Sequence, residues 1–474
     1  MKMFLAGEWA EREQRAEVRH PYDGHVVDTV PQASADDVER AIAAATEGAR
    51  IMAKISAYDR FLMLRKAADA LLANQKELGR LISLEEGKTL AEGEFEVTRA
   101  ATTLEVSAEE AKRLNGEVLP LDAAPGGANK LGFTLRVPCG VVVAIAPFNF
   151  PLNLVCHKVG PALAAGNAVI VKPASNTPLS ALRLTEILLA AGLPPLALQC
   201  ITGAGGDIGT QLCQDERVRK ITFTGSVEVG KKICAVAGLK RVTMELGSNS
   251  PLIVLDDADL NKATDSILAS GYGNAGQVCI SAQRIIALPK IYDELVARLR
   301  PKVEGLTAGD PLQSSTRMGP MIRESDAVRV EAWVHEAVAQ GAKLLSGGSR
   351  RGTLHEPTIL GDVQPEMKIC RDELFGPAVG VMRAANVDDA IRLANDSRYG
   401  LSATLFTQDL DAAMKFARQV ESGNLHLNWG PAWRADLMPY GGLKESGLGK
   451  EGPKYAIEEM TETKTVVIHL PANS

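Results

Sequence analysis

The sequence predicts an α/β fold of parallel sheets with helices on their faces. Between residues 137 and 246, short apolar runs that read as buried strands alternate with helical stretches. A second series of the same kind runs from about residue 250 to 445. Beside them, Tyr58 to Asn115 is rich in Ala, Leu, Glu, Lys and Arg without a proline, which predicts a block of long helices.

Taken in order, Ser34-Ala-Asp-Asp37 is a capping-box pattern, and Val38, Ile42, Ala45 and Ala49 follow it at helical spacing. After the helical block, residues 117–136 place short apolar runs around Ala124-Pro-Gly-Gly-Ala128, the pattern of a hairpin or arm. Val141 to Ile145 and Ala168 to Val171 read as strands, the second stopping at Lys172-Pro173. Thr177-Pro178 offers an N-cap and a first-turn proline for a helix from Leu179 to Ala191, which Gly192 closes. Leu198 to Thr202 and Lys220 to Phe223 repeat the strand signal, and Arg241 to Leu246 closes the series. Near the end, Lys464-Thr-Val-Val-Ile-His469 reads as a further strand.

At 474 residues the chain has room for about three domains. Its 46% apolar and 23% charged residues exclude disorder and fibrous repeats. A net charge of −6 does not favour nucleic acid, so a small molecule is the expected partner. The longest apolar stretch, Val137 to Cys156, is broken by Pro147, Asn149, Pro151 and Asn153 and predicts no membrane span. Seven cysteines without a C-x-x-C pair argue against a disulfide framework or zinc ribbon and for a reduced, cytoplasmic setting. Met1 to Glu13 lacks the apolar core of an export signal. His20 and His25 are too isolated for a metal site, and no metal is expected.

Several segments carry chemistry only in combination. Gly271-Tyr-Gly-Asn-Ala-Gly276 matches G-x-G-x-x-G, but the helical stretch Ala263 to Ser270 precedes it where a dinucleotide fingerprint needs a strand. Thr224-Gly-Ser-Val-Glu-Val-Gly230 does follow a strand and open a helix, which fits a tight turn and an anion-binding helix start equally. Taken singly, Cys279 reads as a buried thiol, Glu245 as a loop acid, Asn149 equally as a helix cap or a side-chain hydrogen-bond donor, and His157 as a structural histidine.

Together they resemble the aldehyde dehydrogenase superfamily. The resemblance rests on Pro147-Phe-Asn-Phe-Pro-Leu152, Val171-Lys-Pro-Ala174, Phe223-Thr-Gly-Ser226 with Gly230, and Glu245-Leu-Gly247. It continues through Gly276-Gln-Val-Cys-Ile-Ser281, Glu373-Leu-Phe-Gly-Pro377 and Pro439-Tyr-Gly-Gly-Leu-Lys-Glu-Ser-Gly447, in the family's order. Glu245 and Cys279 lie 34 positions apart, which fits the family's spacing. The resemblance implies two Rossmann-like α/β domains and a β oligomerisation arm. A dinucleotide-binding domain would span 1–115 and 137–246, a catalytic domain 247–447, and the arm 116–136 with 461–474, giving a homodimer or homotetramer.

It also implies roles. Cys279 is the expected nucleophile, Asn149 with the Cys279 backbone N–H the oxyanion holder, and Glu245 the base that activates water. NAD or NADP is the expected cofactor. Its implied contacts are Pro147, Phe148, Lys172, Ser175, Gly225, Ser226, Gly230, Leu246, Glu373 and Phe375. Three departures stand out. Ser175 replaces the glutamate that grips the adenine ribose in many NAD-specific relatives; it would not repel a 2′-phosphate, so NADP is expected to be accepted. Ser248-Asn249 replaces a usual Gly-Lys, which puts the local backbone path in question, and Phe148 replaces a common tryptophan.

The stretches Asn428 to Gly442 and Ala275 to Cys279 resemble the branch of lactaldehyde and phosphonoacetaldehyde dehydrogenases. The expected substrate is therefore a short aldehyde with a hydroxyl or anionic group, with His157, Trp429, Trp433 and Arg434 as candidate pocket residues. Arg284 reads as a structural ion-pair residue. Two rivals stand beside this reading: a coenzyme A-acylating enzyme, and a non-enzymatic protein on a retired dehydrogenase fold. Glu245 argues against the first, and the set Asn149, Glu245, Cys279 and Glu373 against the second.

Overall fold

The capping box at Ser34 forms. Ser34 Oγ accepts from the Asp37 N–H at 3.2 Å while the Asp37 carboxylate accepts from the Ser34 N–H at 3.0 Å, opening helix α1 (Ala35–Met52). The proline-free block becomes α2 (Ala57–Ala73), α3 (Gln75–Glu86) and α4 (Leu90–Ala111), in a computed structural model that describes residues 1–471. Thr89 and Glu92 make a second capping box at the start of α4.

Five parallel strands form the centre of the first sheet, in the order Leu198–Cys200, Ala168–Lys172, Val141–Ile145, Val218–Thr224 and Arg241–Glu245. Each of the central strands is buried on both faces. Val142, Ala144, Val169 and Val171 pack with α2, α3, α4, α5 (Asn153–Ala164) and α6 (Leu179–Ala190). Val141, Val143, Ala168 and Ile170 pack on the other side with α1, α7 (Gly205–Gln214) and α8 (Val227–Val236). Strand order reverses between Val141–Ile145 and Val218–Thr224, and a crevice opens at such a point beyond the carboxyl ends of the strands. Three-residue strands Met3–Leu5 and Glu8–Ala10 extend one edge of this sheet; they are too short to leave a periodic signal in the sequence.

The chain leaves the first sheet at Glu245 and enters the second at Ser250. This second sheet has seven strands, parallel except for Lys343–Ser346 at one edge. The carboxyl ends of the first sheet therefore face the amino ends of the second, and a cleft lies between them. Strands Lys130–Pro138 and Thr461–His469 pair antiparallel along their whole length, with Val118–Leu119 on the far edge. Residues 472–474 of the expected arm lie outside the described residues.

Two expectations need correction. Thr177 does not cap α6: its hydroxyl donates to the Phe148 carbonyl at 3.4 Å. The Glu85 carboxyl, reaching over from α3, takes the N–H groups of Leu179 and Ser180 at 2.7 and 3.0 Å, because its two acceptor oxygens satisfy two N–H groups of a helix N-terminus where a hydroxyl has one oxygen. Arg284 is structural but makes no ion pair among the described residues. Its guanidinium donates to the carbonyls of Leu393 and Ala394 and to Asn249, and burial pushes its pKa down to about 10. No helix among the described residues is long and apolar enough to cross a membrane.

Candidate active site

The G-x-G-x-x-G segment shows how the site is built. Gly271 lies inside helix α9 (Leu260–Tyr272), so no strand precedes the motif, and its glycines serve another purpose. Asn274, Ala275 and Gly276 take left-handed conformations in succession, with φ of 50°, 52° and 70°. A Cβ on Gly276 would lie 2.1 Å from the Gly376 carbonyl oxygen, so the loop that carries Cys279 runs directly against the loop that carries Phe375.

Cys279 is half-buried and lines two cavities. The larger, about 450 Å³, lies over the carboxyl ends of the first sheet and includes Asn149, Gly225, Glu245, Leu246 and Glu373. The smaller, about 250 Å³, lies between the sheets and is lined by Arg99, Phe150, Asn153, Arg434 and Tyr440. Two molecules bound in the two cavities would meet at the sulfur. Burial pushes the thiol up to about 12, the largest influence; a hydrogen bond with Tyr440 works against it, and the charges of Glu245 and Glu373 reinforce it.

Asn149 is buried after strand Val141–Ile145, and its Nδ2 donates to the Gln277 carbonyl at 2.8 Å. A carboxamide has two N–H donors, so the second is left for a ligand beside Cys279.

Glu245 is 3% exposed, and neither of its carboxyl oxygens has a hydrogen-bond partner. Its backbone is paired with Gly447, which brings the chain from Tyr440 to Glu451 alongside. Burial, and then the charge of Glu451, hold the Glu245 carboxyl well above the usual carboxylate range. Glu451 is ionised below that range by Lys158 at 2.9 Å and by Arg434 at 3.3 Å. The Arg434 guanidinium lies 3.9 Å from the centre of the Tyr440 ring, and its Nε has no hydrogen-bond partner.

Seven of the ten residues named for cofactor contact line the larger cavity, and Lys172, Ser175 and Gly230 do not. Pro147, Phe148, Gly225, Ser226, Leu246, Glu373 and Phe375 all line it. Phe148 and Phe375 pack edge to face with ring centres 5.9 Å apart. A Cβ on Gly230 would sit 2.6 Å from Leu246 Cδ2, so glycine there lets the start of α8 settle against the end of strand Arg241–Glu245. Glu373 accepts the Ser248 N–H at 2.9 Å, and burial moves its carboxyl up to about 7. Lys172 ends its strand with Nζ on the Pro173 carbonyl, and burial brings it down to about 8. Ser175 is exposed and bonds the Gly203 carbonyl. The Ser248-Asn249 path is well tied: the Asn249 carboxamide donates to the carbonyls of Cys370 and Asp372 at 2.9 and 2.8 Å and accepts from Arg284. It thereby binds the strand linker to the segment that presents Glu373.

The pocket candidates divide. Arg434 lines the smaller cavity. Trp429 and Trp433 do not, with 57% and 53% of their surface exposed: the loop turns Gly430 and Pro431 inward, Gly430 against Ser266 and Ser270 of α9, and leaves the two indoles outside. His157 is buried behind the cavity, where Nδ1 accepts from Arg434 and Nε2 lies 3.4 Å from Asp436. Burial holds it well below the ordinary histidine range, so it stays neutral. Sequence reading assigned no role to Arg99, Lys158, Tyr440 or Glu451. Only Tyr440 lay inside a motif; the others stand on helices or loops whose burial the sequence does not report.

A family model described as the aldehyde dehydrogenase family matches residues 9–466. The chain is 50% identical over 468 residues to a 3-sulfolactaldehyde dehydrogenase of Priestia megaterium, covering 99% of this chain and 98% of the relative. It is 38% identical to a lactaldehyde dehydrogenase of Methanococcus aeolicus, covering 98% and 100%. Among solved structures, the NADP-dependent glyceraldehyde-3-phosphate dehydrogenase of Bacillus halodurans, complexed with NADP, superimposes with a TM-score of 0.97 at 36% identity, covering 99% of each chain.

Proposed function

Because the chain belongs to the aldehyde dehydrogenase family, we propose that it oxidises a short aldehyde bearing an anionic group, such as 3-sulfolactaldehyde, to the carboxylic acid with NAD or NADP. The observation that carries this reading is the smaller cavity. At about 250 Å³ it is short, and Arg434 lines it with an unpartnered Nε and Arg99 beside it. A guanidinium with a free donor in a desolvated pocket favours a carboxylate, sulfonate or phosphonate.

Cys279 sulfur attacks the aldehyde carbon, forming a C–S bond and an oxyanion. The free Asn149 N–H and the Cys279 backbone N–H hold that oxygen. Cys279 is a thiol at neutral pH and gives its proton to solvent as the sulfur attacks, which leaves Glu245, with both carboxyl oxygens open, for the second step. A bound nicotinamide dinucleotide supplies the acceptor for the hydride that leaves the same carbon, and the product is a thioester on Cys279. The lining of the larger cavity supports that group: Gly225 and Ser226 stand at the start of α8, where N–H groups favour a pyrophosphate, and Glu373 would accept from ribose hydroxyls, with Lys172 as the second such contact the family resemblance implies. Glu245 then takes a proton from water, which attacks the thioester and returns Cys279 to the thiol. The arm strand Thr461–His469, paired along one side only, supports a dimer or tetramer.

The test is the rate of dinucleotide reduction, with NAD and with NADP, across 3-sulfolactaldehyde, phosphonoacetaldehyde, succinic semialdehyde, lactaldehyde, glycolaldehyde and benzaldehyde without coenzyme A. The anionic three- and two-carbon aldehydes are expected to give the highest kcat/KM, and Cys279→Ala to abolish the signal. Benzaldehyde leading the series, or a strict need for coenzyme A, would sink the reading.

A further inference from the structure

We infer that Lys88 is a positioning residue for the oxyanion-holding amide of Asn149, an inference that rests on the roles given above to Cys279 and Asn149. Lys88 stands in the turn between α3 and α4, far from either residue in sequence, and is 1% exposed. Its Nζ donates to the Asn149 carbonyl at 2.7 Å and to Glu96 Oε2 at 2.7 Å, and lies 4.0 Å from the centre of the Phe150 ring. The other Glu96 oxygen accepts the N–H groups of Leu152 and Asn153 at 2.9 and 3.0 Å. One buried ion pair therefore fixes the whole segment from Asn149 to Asn153.

The same turn holds the opposite side of the site. Asn274 Nδ2 donates to Glu86 at 2.8 Å and to the Asn149 carbonyl at 3.2 Å, and its backbone N–H donates to Glu92 at 2.7 Å. Glu92 is also the capping residue of α4. The left-handed loop before Cys279 and the loop of Asn149 are thus tied to one piece of backbone. With its carbonyl gripped on one side and its carboxamide on the Gln277 carbonyl on the other, Asn149 has little freedom to turn.

Two considerations make positioning the function of this cation. Lys88 lines the smaller cavity, but Glu96 neutralises it and its bonds are directed into the protein, so it is no anchor for a substrate anion. A buried ion pair is also weak evidence for stability, because desolvation offsets its attraction. What it does provide is a strong, directed bond to one peptide oxygen. Catalytic groups lose about a hundredfold in rate when displaced by about 1 Å, so a bond that fixes the Asn149 peptide acts on the rate.

The test compares wild type, Lys88→Met/Glu96→Gln, Asn149→Ala and the triple variant. The paired change leaves no uncompensated buried charge and keeps an oxygen for Leu152 and Asn153. Hydrolysis of 4-nitrophenyl acetate without dinucleotide reads attack through the oxyanion; alkylation of Cys279 by iodoacetamide reads the thiol alone. The paired variant is expected to lose about a hundredfold in ester hydrolysis, with alkylation changed less than about threefold. Adding Asn149→Ala should cost less than about threefold more, because both changes disable one donor. Ester hydrolysis unchanged in the paired variant, or losses that multiply in the triple variant, would overturn the inference. Should the paired variant not fold, Asn274→Gly decides: it removes the second donor to the same carbonyl, glycine accepts the φ of 50°, and an undiminished ester rate there overturns the inference. A wild type that neither hydrolyses the ester nor oxidises any aldehyde would overturn the proposed function as well; an active wild type confines any failure to Lys88.

Discussion

The sulfur of Cys279 lies 3.8 Å from the phenol oxygen of Tyr440, a residue 161 positions further along the chain. Tyr440 exchanges backbone hydrogen bonds with Glu451 at 3.0 and 2.7 Å and carries the Arg434 guanidinium on its ring. Cys279, the arginine of the smaller cavity and Glu451, whose charge adds to burial in raising the Glu245 carboxyl, therefore form one connected group. Burial keeps the Tyr440 phenol protonated, so it can donate to the sulfur when the thiolate forms.

This contact makes a pH prediction. With the Cys279 thiol moved up to about 12, chiefly by burial, the thiolate fraction grows about tenfold per pH unit below that value. Alkylation of Cys279 in the cofactor-free enzyme is expected to rise about a hundredfold between pH 7 and 9 with no plateau. Cys279→Ser supplies the background, since Cys234 is exposed. Tyr440→Phe removes the hydrogen bond that lowers the pKa and should slow alkylation at every pH. A plateau below pH 9 would contradict the assignment.

Glu245→Gln keeps the shape of the site and removes the base. Acylation should remain detectable while turnover falls by about 10²–10⁴. Intact-mass measurement of enzyme quenched in the steady state should then show the acyl group on Cys279. Finding the variant unacylated and slow would assign Glu245 to the first step alone.

Arg434→Met should separate aldehydes by charge. Loss of a charge-assisted hydrogen bond costs about 1.5–3 kcal/mol, which is about 10- to 150-fold in KM for succinic semialdehyde or 3-sulfolactaldehyde. Glycolaldehyde should be affected far less. Glu451 keeps Lys158 at 2.9 Å in this variant, so it is not left as an unpaired buried charge. Equal losses for charged and neutral aldehydes would show that Arg434 serves the fold and not the substrate.

At the dinucleotide end, Ser175→Glu places a carboxylate where a 2′-phosphate would be repelled. The kcat/KM for NADP should fall about tenfold or more while that for NAD is kept or improved. Steady-state kinetics with the two dinucleotides at one saturating aldehyde checks this, and an unchanged ratio would remove Ser175 from the account of cofactor choice.

Asn249→Leu tests the tie between the strand linker and the Glu373 segment. It strips donors from the buried carbonyls of Cys370 and Asp372 and an acceptor from Arg284. A loss of about 2–4 kcal/mol in urea unfolding is expected, with a raised KM for the dinucleotide. Wild-type stability would mean that water or a rearranged Arg284 replaces the carboxamide.

The strands of the first sheet were readable because they are buried on both faces and so appear as unbroken apolar runs such as Val141-Val-Val-Ala-Ile145. Glycine spacing alone was less informative. Gly271 and Gly273 lie in and just after a helix, whereas the small size of Gly225 and Gly230, at and inside the start of α8, matters because Phe223 and Leu246 pack against them. The cap expected from Thr177 was lost to Glu85, which is 94 positions away from Leu179 and invisible to any local pattern. Trp429 and Trp433 suit a pocket by residue type and place in the sequence, but side-chain direction on a loop is set by packing, and both are exposed.

The sequence by itself determined the alternation of strands and helices and the family motifs, and it put forward Cys279, Glu245 and Asn149 as the candidates for chemistry, because these depend on local pattern and on residue chemistry. Tertiary structure alone decided which charges are paired, which are desolvated and which peptide groups are held. Lys88 reaches Asn149 across 61 positions, and Lys158 reaches Glu451 across 293. Such contacts arise when two sheets and a helical block close around one cleft, where removal of water gives each buried charge its strength and requires it to find a partner.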